Sequence, residues 1–234
     1  HHNISGTIQL LNAATESGAR YVIFSSTAAV YGDPQYTPMD EEHPTKPSNF
    51  YGYTKLAIEE LLGWYAHLKG MRFASLRYFN AAGYDLDGKI KGLESEPNNL
   101  LPIVMEAVIG KRPFVEVFGT DYNTPDGSCI RDYIHVNDLA DGHVRALEYL
   151  TRETDNPILN LGTSNGMSVL EILEHTKYLS HSNFDVRFGS RRLGDPAIVL
   201  AKADKAKSLL GWEAKRSDPK TLINSMLNVY RATN

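Results

Sequence analysis

Three side chains in the first quarter of the chain have the types and the spacing of a proton-transfer site. Tyr51 and Lys55 are four residues apart, so on a helix they lie on one face. A free phenol has a pKa of about 10 and is a poor base, but an ammonium ~4 Å away stabilises the phenolate by roughly 4 kcal/mol at an effective dielectric near 20. Thr27 could hold an alcohol for that base, so the trio predicts general-base chemistry on a hydroxyl group.

The segments around this trio predict helices that alternate with strands. Apolar residues at helical spacing run over 7–17 and over 51–69, and each pattern is followed by a glycine. The β-branched and aromatic runs 21–24 and 73–78 predict buried strands. Thr27 lies just past the first of these strands, at the carboxyl end where open parallel sheets bind ligands. We therefore expect an α/β fold with a doubly wound, Rossmann-type parallel sheet.

The alternation of helices and strands is less regular beyond residue 80. The Gly-, Asp-, Glu- and Pro-rich segment 80–99 predicts an excursion away from the sheet. The elements predicted after it are a helix over 100–109, strands over 115–118, 130–136 and 157–162, a helix from an Asn137 or Asp138 cap to about 150, and a helix capped by Ser168.

The composition limits the partners that we expect. Lys plus Arg number 24 and Asp plus Glu number 28, which gives a formal net charge of -4. A mildly acidic protein has no strong attraction to nucleic acid or to an anionic membrane, so we expect neither as a partner. The histidines lack metal-ligand spacing, which predicts no metal site, and a single cysteine, Cys129, fits a reducing, cytoplasmic compartment.

Short motifs follow one another nearly from end to end of the chain. Three of them are Ser25-Ser26-Thr27-Ala28-Ala29-Val30-Tyr31-Gly32, Tyr51-Gly52-x-x-Lys55 and Leu76-Arg77-Tyr78-Phe79-Asn80. The others are Pro97-Asn98-Asn99-Leu100-Leu101-Pro102, Arg131-Asp132-Tyr133-Ile134-His135-Val136, Asp138-Leu139-Ala140-Asp141-Gly142-His143 and Arg192-x-Gly194-Asp195. The first set resembles the extended short-chain dehydrogenases, and the second resembles their UDP-glucose 4-epimerase branch in particular.

The resemblance implies a role for each matching residue. Thr27, Tyr51 and Lys55 match the catalytic threonine, the base and its lysine partner. The positions near the nicotinamide are matched by Ser25, Tyr78 and Phe79, together with Tyr51 and Lys55. The UDP-sugar pocket is matched by Thr27, Asn80, Asn99, Leu100, Phe118, Arg131, Tyr133, Arg192, Asp195 and Val199.

The same resemblance implies the cofactor, the substrate and the domains. The cofactor would be NAD and the substrate a UDP-hexose. Segments 1–80 and about 129–162 would belong to the NAD-binding Rossmann domain, and segments of about 81–128 and 163–234 to the UDP-sugar domain. Relatives pair the helices that correspond to 7–17 and 51–69 across a two-fold axis, so the resemblance also implies a homodimer.

The residues after Thr27 decide between branches of the family. Sugar-nucleotide dehydratases have an Asp-Glu pair there that moves the protons of water elimination, whereas this chain has Ala28-Ala29, which cannot. Oxidation and re-reduction at C4, which is epimerisation, is therefore expected. A UDP-sugar decarboxylase or reductase of the same superfamily and an inactive sugar-nucleotide-binding fragment stay open as alternatives.

The chain departs from the family at three places. It contains no Gly-rich phosphate loop, so we expect it to begin inside the cofactor domain and, taken alone, to bind NAD poorly and to be inactive. An Asn-Asn pair of the family reads His2-Asn3 here, which puts one cofactor phosphate contact in doubt. Val199 stands where a tyrosine excludes N-acetyl groups in relatives, which predicts that UDP-N-acetylhexosamines are also accepted.

Overall fold

The structure of the chain is a computed structural model that describes residues 3–233. Its helices are α1 Ile4–Glu16, α2 Phe50–Lys69, α3 Leu100–Val108, α4 Val136–Arg152, α5 Val169–Ser180, α6 Asp204–Leu210 and α7 Pro219–Ala232. Its strands are β1 Tyr21–Thr27, β2 Arg72–Tyr78, β3 Asn80–Ala82, β4 Phe114–Phe118, β5 Ile130–Arg131, β6 Tyr133–His135, β7 Ile158–Leu161, β8 Met167–Ser168, β9 Asp185–Gly189 and β10 Ile198–Val199.

The chain divides into two compact units, and each unit takes more than one segment of the sequence. The first unit runs up to Phe79 and adds Ala140–Gly162 and Ala201–Glu213. The second unit contains Asn80–Leu139, Thr163–Leu200 and the segment from Ala214. The sequence-based division had placed 129–139 with the first unit and 201–213 with the second. The unit to which each segment belongs depends on tertiary contacts, which a motif does not report.

The first unit is built on a parallel sheet of strand order β1-β2-β7. Helices α1 and α2 pack against each other, and α2 contacts β1 and β2. Their apolar faces form a core of Leu11, Ile58, Leu62, Met71 and Phe73. The expected α/β fold with parallel strands is confirmed here. The first strand is longer than the sequence pattern indicated, because it extends through Ser25 and Ser26 to Thr27.

The ends of α2 follow from its terminal residues. Asn49 accepts a hydrogen bond from the Gly52 backbone N–H at 2.8 Å and caps the first turn. Gly70 ends the helix in the left-handed conformation (φ 68°), which a glycine adopts at no steric cost. The Asn49 cap fixes the start of the helix at Phe50, so that Tyr51 lies in its first turn.

The second unit contains short paired strands and a helical layer. Its pairs are β3 with β6 and β4 with β9, both parallel, and β5 lies between β10 and β8. Helices α3, α5 and α7 pack together over an apolar core. The Ser168 cap of α5 is confirmed as a capping box with Glu171, because each side chain bonds the backbone N–H of the other.

Two expectations in the second unit were wrong. The segment 130–136 is not one strand, since it divides into β5 and β6 at Asp132. Neither Asn137 nor Asp138 caps the next helix, because α4 already begins at Val136. Asp138 is buried, and its carboxylate accepts hydrogen bonds from Arg216 and Ser217.

Candidate active site

A close approach of backbones brings the first turn of α2 to the end of β1. Residues 28–30 form a short 3-10 turn directly after β1, and Thr27 caps it by accepting a hydrogen bond from the Ala29 N–H at 3.2 Å. A Cβ on Gly52 would lie 2.3 Å from the Ala29 carbonyl oxygen, so only glycine permits this contact. The glycine between Tyr51 and Tyr53 therefore lets α2 place Tyr51 beside Thr27.

Lys55 lies one turn further along α2 and reaches the same strand. Its ammonium donates a hydrogen bond to the Ser25 carbonyl oxygen at 2.9 Å and lies 4.9 Å from the centroid of the Phe24 ring. Among the described residues it forms no ion pair with a carboxylate, and desolvation lowers its pKa. A half-buried ammonium without a carboxylate partner among the described residues is suited to hold a further electron-rich group.

The pKa of Tyr51 is raised above its usual value, and the lowering expected from Lys55 is not found. Desolvation of the phenol raises this pKa, hydrogen bonding to Thr27 lowers it, and the nearby Tyr78 raises it. The Lys55 ammonium lies 5.7 Å from the centroid of the Tyr51 ring and is bonded to the strand backbone. Tyr51 therefore holds its proton until a further positive charge is added to the site.

A buried charged residue that the sequence analysis missed holds α2 in this orientation. Glu59 follows Tyr51 and Lys55 at the next positions of the same helical face and is only 5% exposed. Its carboxylate accepts hydrogen bonds from Ser26 at 2.5 Å and from Arg77 at 2.5 and 3.0 Å. Because Ser26 precedes Thr27 on β1, the Glu59 contacts fix the rotation of α2 against the carboxyl end of that strand.

Ser25 and Tyr78 share a neighbour that the sequence analysis had treated as an ordinary histidine. The Ser25 hydroxyl lies 3.1 Å from His143 Nε2, and the rings of His143 and Tyr78 are 6.1 Å apart. Phe79 follows β2 directly and is half-buried. The motif Asp141-Gly142-His143 was the available signal, because a histidine that directly follows a glycine two turns into a helix can approach a strand end closely.

A cavity of about 520 Å³ in the second unit gathers most of the remaining predicted residues. Eight predicted residues line it, namely Asn80, Asn99, Leu100, Phe118, Arg131, Tyr133, Arg192 and Asp195. The sequence analysis missed further lining residues, among which Arg112, Phe114, Glu116 and Cys129 carry charged, aromatic or thiol groups. Val199 does not line the cavity and pairs with Arg131 between β10 and β5.

The polar wall of this cavity is centred on Arg131. Its guanidinium forms an ion pair with Asp195 and donates to the carbonyl oxygen of Ile130 at 2.8 Å. The Cys129 thiol lies 3.9 Å from the same Asp195 carboxylate. Arg131 is mostly shielded, with 13% of its side chain exposed, whereas the Asp195 side chain is 31% exposed.

The aromatic wall of the cavity is formed by Phe118 at the end of β4. The guanidinium carbon of Arg192 lies 4.0 Å from the centroid of the Phe118 ring, which is a cation–π contact. Asn99 occupies the N-cap position of α3 without a side-chain hydrogen bond to the helix, so its amide stays available to the cavity. Cations, amides and an aromatic face are the groups that bind a phosphorylated heterocycle.

Position His2 of the His2-Asn3 pair lies outside the described residues, whereas the Asn3 amide donates to the Thr54 hydroxyl at 3.0 Å. Over 3–233 the structure brings no three His, Cys, Asp or Glu side chains into a metal-binding group. Within the same residues no helix has the length and the apolar character that crossing a membrane requires.

Comparison with known proteins gives one consistent family. Residues 1–162 match the model of the NAD dependent epimerase/dehydratase family. A UDP-glucose 4-epimerase of Halalkalibacterium halodurans is 42% identical over 230 residues, which are 98% of this chain and 69% of that protein. The chain spans about two thirds of the length of the curated relatives that it matches.

Two solved structures have the same fold over nearly all of the chain. A UDP-glucose 4-epimerase from Brucella ovis, in complex with NAD, matches with a TM-score of 0.95 at 41% identity and covers 98% of this chain and 70% of its own. A UDP-Glc/GlcNAc 4-epimerase from Campylobacter jejuni matches with a TM-score of 0.84 at 35% identity, with the same coverage of both chains.

Proposed function

Because the chain belongs to the NAD dependent epimerase/dehydratase family, we propose that it carries the catalytic and UDP-binding parts of a UDP-glucose 4-epimerase. The reaction interconverts UDP-glucose and UDP-galactose by transient oxidation at C4 of the hexose. The observation that carries the proposal is the placement of Tyr51 beside Thr27, with Lys55 on the same helical face and alanines at 28 and 29.

The first unit supplies the proton transfer in this proposal. Thr27 accepts from the backbone of the following turn, so its own hydroxyl proton is available to an oxygen acceptor such as the Tyr51 phenol. Tyr51 removes the proton of the sugar 4-hydroxyl and returns it after the 4-keto sugar has presented its other face. No acid or base follows Thr27 at positions 28 and 29, so elimination of water has no proton donor there.

The residues of the first unit also fit the nicotinamide half of NAD. The Lys55 ammonium has no carboxylate partner among the described residues and can donate to ribose hydroxyls, and Ser25 with His143 offers a second polar pair. When bound, NAD supplies the hydride acceptor for C4 and a positive charge that favours the Tyr51 phenolate. Tyr51 and Lys55 thus bind and orient the ribose while Thr27 positions the substrate hydroxyl.

The second unit supplies the anchor for UDP in this proposal. Arg131 and Arg192 can bind the diphosphate by charge-assisted hydrogen bonds, and Asp195 can accept from ribose hydroxyls. Phe118 offers a ring face for uracil, and Asn80 and Asn99 supply amides for sugar hydroxyls. The cavity volume of about 520 Å³ is within the range of small-molecule sites.

Turnover assays separate this function from its alternatives. Because the chain spans about two thirds of the length of its relatives and is expected to be inactive when taken alone, the assays use a longer protein that also carries the Gly-rich cofactor loop. Supplied with NAD and UDP-galactose, that protein should form UDP-glucose with no net release of NADH. Release of CO2 from UDP-glucuronate would identify a decarboxylase, and net NADH consumption would identify a reductase. UDP binding without any turnover would identify a sugar-nucleotide-binding fragment.

A Tyr51→Phe variant tests the role of the base. Phenylalanine keeps the ring and removes the hydroxyl, so turnover should fall by roughly 10²- to 10⁴-fold while UDP affinity stays unchanged. The matched control is Tyr53→Phe, two residues along the same helix, where the exposed ring should be dispensable. A kcat of the Tyr51 variant near that of the control would refute the assignment.

We further propose a cytoplasmic homodimer formed through α1 and α2. These helices expose large apolar side chains, including Leu10 at 68%, Trp64 at 63% and Leu68 at 67%. A Trp64→Glu variant should be monomeric by light scattering, whereas Phe188→Glu, at an equally exposed ring on β9, should leave the dimer intact. Monomeric wild-type protein at micromolar concentration would contradict the proposal.

The cytoplasmic part of the proposal is supported by the single, buried cysteine, which fits a reducing compartment.

Acceptance of UDP-N-acetylhexosamines is the finer substrate proposal. It is supported by the small side chain of Val199 and by the likeness to a UDP-Glc/GlcNAc 4-epimerase. Val199 is the register partner of Arg131 and does not line the cavity. Any effect of Val199 on the sugar would therefore be indirect, through the position of Arg131, which does line the cavity. Steady-state rates on UDP-GlcNAc and UDP-glucose decide it, and absence of turnover on the former would refute it.

A further inference from the structure

The second unit contains a second cavity, whose lining is separate from that of the proposed UDP cavity. Its volume is about 510 Å³, close to the 520 Å³ of the UDP cavity, and the two cavities share no lining residue. One wall is the loop that begins at Asp85, and the other wall is a face of α7. A cavity of this volume is large enough for a small molecule, and the proposed reaction makes no use of it.

The loop wall of this second cavity is held in shape by Asp85. Its carboxylate accepts hydrogen bonds from three backbone N–H groups of the same loop, at 2.8 to 3.3 Å. The backbone N–H of Tyr84 donates to the Ser225 hydroxyl on α7 at 3.0 Å, which ties the start of the loop to the opposite wall. The carboxylate of Asp85 is therefore engaged within its own loop, and the same loop brings Lys91 into the cavity lining.

The helix wall is a polar row on α7. Lys220, Asn224 and Asn228 all line the cavity, and each is four residues from the next. Residues at this spacing lie above one another on a helix, and the rise of the helix makes the row about 12 Å long. The buried apolar residues of the same helix pack into the core on another face, namely Leu222, Ile223, Met226 and Leu227.

The charged groups of the lining favour an anion. They are Asp85, Lys91 and Lys220, and neither of the two ammonium groups forms an ion pair with another residue within 3–233. The nearby Asp87 is paired with Lys89 at 3.0 Å rather than with a lysine of the lining. Two cations and one carboxylate that is already hydrogen-bonded give the cavity a net positive charge, in a chain whose formal net charge is -4. Such a cavity attracts a small, negatively charged ligand.

The uncharged groups of the lining favour an anion that also carries hydroxyl groups. The side-chain amides of Asn224 and Asn228 form no hydrogen bond with any other residue that the structure describes. An amide both donates and accepts hydrogen bonds, as the hydroxyl groups of a sugar do. No aromatic ring is present among the described lining residues, whereas Phe118 and Tyr133 line the UDP cavity. A nucleobase would have no ring on which to stack, so a phosphorylated sugar fits this lining better than a nucleotide does.

We propose that this second cavity is a binding site for a phosphorylated sugar. Lys91 and Lys220 bind the phosphate by charge-assisted hydrogen bonds, and Asn224 and Asn228 bind sugar hydroxyls along the row on α7. The proposal uses no residue of the UDP cavity, so it is independent of the proposed epimerase activity.

Calorimetric titration with glucose 6-phosphate tests the proposal on the longer protein that the turnover assays use. Saturating UDP is present, so that the UDP cavity is filled and the sugar phosphate cannot bind there. The wild type should bind glucose 6-phosphate, and Lys220→Met, which removes the charge but keeps most of the side-chain length, should weaken this binding by about tenfold. The matched control is Lys205→Met, because Lys205 is also an exposed lysine at the second residue of a helix and does not line the cavity. This control should bind as the wild type does.

Inorganic phosphate and an Asn228→Ala variant test the sugar part of the proposal. Phosphate alone should bind the wild type more weakly than glucose 6-phosphate, because it leaves the two amides without a ligand. Asn228→Ala should weaken the binding of glucose 6-phosphate severalfold and leave that of phosphate unchanged, whereas Lys220→Met should weaken the binding of both.

Three results would overturn the proposal. The first is that glucose 6-phosphate does not bind, or binds only when UDP is absent. The second is that Lys220→Met binds it as tightly as Lys205→Met does, which would place the ligand elsewhere. The third is that phosphate and glucose 6-phosphate bind equally well and Asn228→Ala has no effect, which would leave a site for anions only. A failure of UDP itself to bind would count against the proposed function alone, since the variants still locate the sugar phosphate.

Discussion

Each unit contains an ion pair between an arginine and a carboxylate. The pair is Arg77 with Glu59 in the first unit and Arg131 with Asp195 in the second. The first pair is almost fully enclosed, with 5% and 3% of the Arg77 and Glu59 side chains exposed. The second pair faces a cavity, and the Asp195 side chain is 31% exposed. An enclosed pair cannot exchange partners and fixes geometry, whereas a cavity pair can release a cation to an incoming anion.

The difference matches the task of each region. The proton transfer that we propose for Tyr51 needs a fixed distance to Thr27, and the Glu59 contacts hold the helix that carries Tyr51. The diphosphate binding that we propose needs a cation whose present partner can be replaced, and Asp195 is such a partner for Arg131. The comparison predicts that breaking the first pair costs stability and that breaking the second costs affinity.

The largest expected effect comes from Glu59→Ala. Removing one partner leaves Arg77 as a buried, uncompensated charge, which costs about 3–5 kcal/mol in the free energy of unfolding. Urea denaturation measures this loss. The double variant Glu59→Met with Arg77→Met replaces the pair by apolar side chains of similar volume and should recover most of the stability. A loss below about 1 kcal/mol for Glu59→Ala would contradict the comparison, since that is the value of an exposed pair.

Sequence patterns were sufficient for the parts of the fold that are governed by local rules. Continuous apolar runs located β1 and β2, and the Ser168 cap located α5. Helix α7 was missed although Asp218 caps it and proline begins it, because its apolar residues lie among polar ones and become a buried face only against α3 and α5.

The site could be predicted only where a motif carried it. Seven of the eight predicted cavity residues were found because they belong to family motifs, and Phe118 was found because it matches a position of the family's pocket. Glu59 and Glu116 were missed because each looks like an ordinary glutamate on a helix or a strand, and only tertiary contacts make one buried and the other part of a cavity. The raised pKa of Tyr51 was also beyond the sequence, since it depends on where the Lys55 ammonium points.

Arg131→Met is expected to have a smaller effect on stability and a clear effect on binding. Asp195 is left partly in water, so the free energy of unfolding should change by about 1 kcal/mol or less. Affinity for UDP should fall by about tenfold or more, and the remaining affinity should depend less on salt, because a phosphate contact is lost. Calorimetry at low and high ionic strength measures both quantities. A stability loss as large as that of Glu59→Ala would remove the distinction between the two pairs.

The smallest expected effect concerns Glu41 in the first unit. It tests how a half-buried carboxyl that forms no ion pair among the described residues affects stability. Its carboxylate accepts the Asn160 N–H at 2.7 Å, and desolvation raises its pKa above the usual range. A carboxyl whose pKa is raised by folding stabilises the folded state at low pH and loses that contribution as the pH rises through the folded pKa. Glu41→Gln keeps the acceptor oxygen and cannot ionise, so it should be more stable than the wild type at pH 7.

The advantage of Glu41→Gln should disappear near pH 4, where the wild-type carboxyl is protonated as well.

Glu106 in the second unit provides the opposite case. Its burial raises the pKa, but hydrogen bonds from Lys111 and Arg112 outweigh that effect and leave the pKa lowered. Its contribution is therefore present at neutral pH and lost as the pH falls through the folded pKa, so Glu106→Gln should be less stable than the wild type at pH 7. Urea midpoints are measured at pH 7, at pH 4 and below the ordinary glutamate pKa, down to about pH 2. The advantage of Glu41→Gln should be lost on going from pH 7 to pH 4, whereas the deficit of Glu106→Gln should persist at pH 4 and shrink only below it. If the curves of the two variants run parallel, a paired cation does not explain the difference between Glu41 and Glu106.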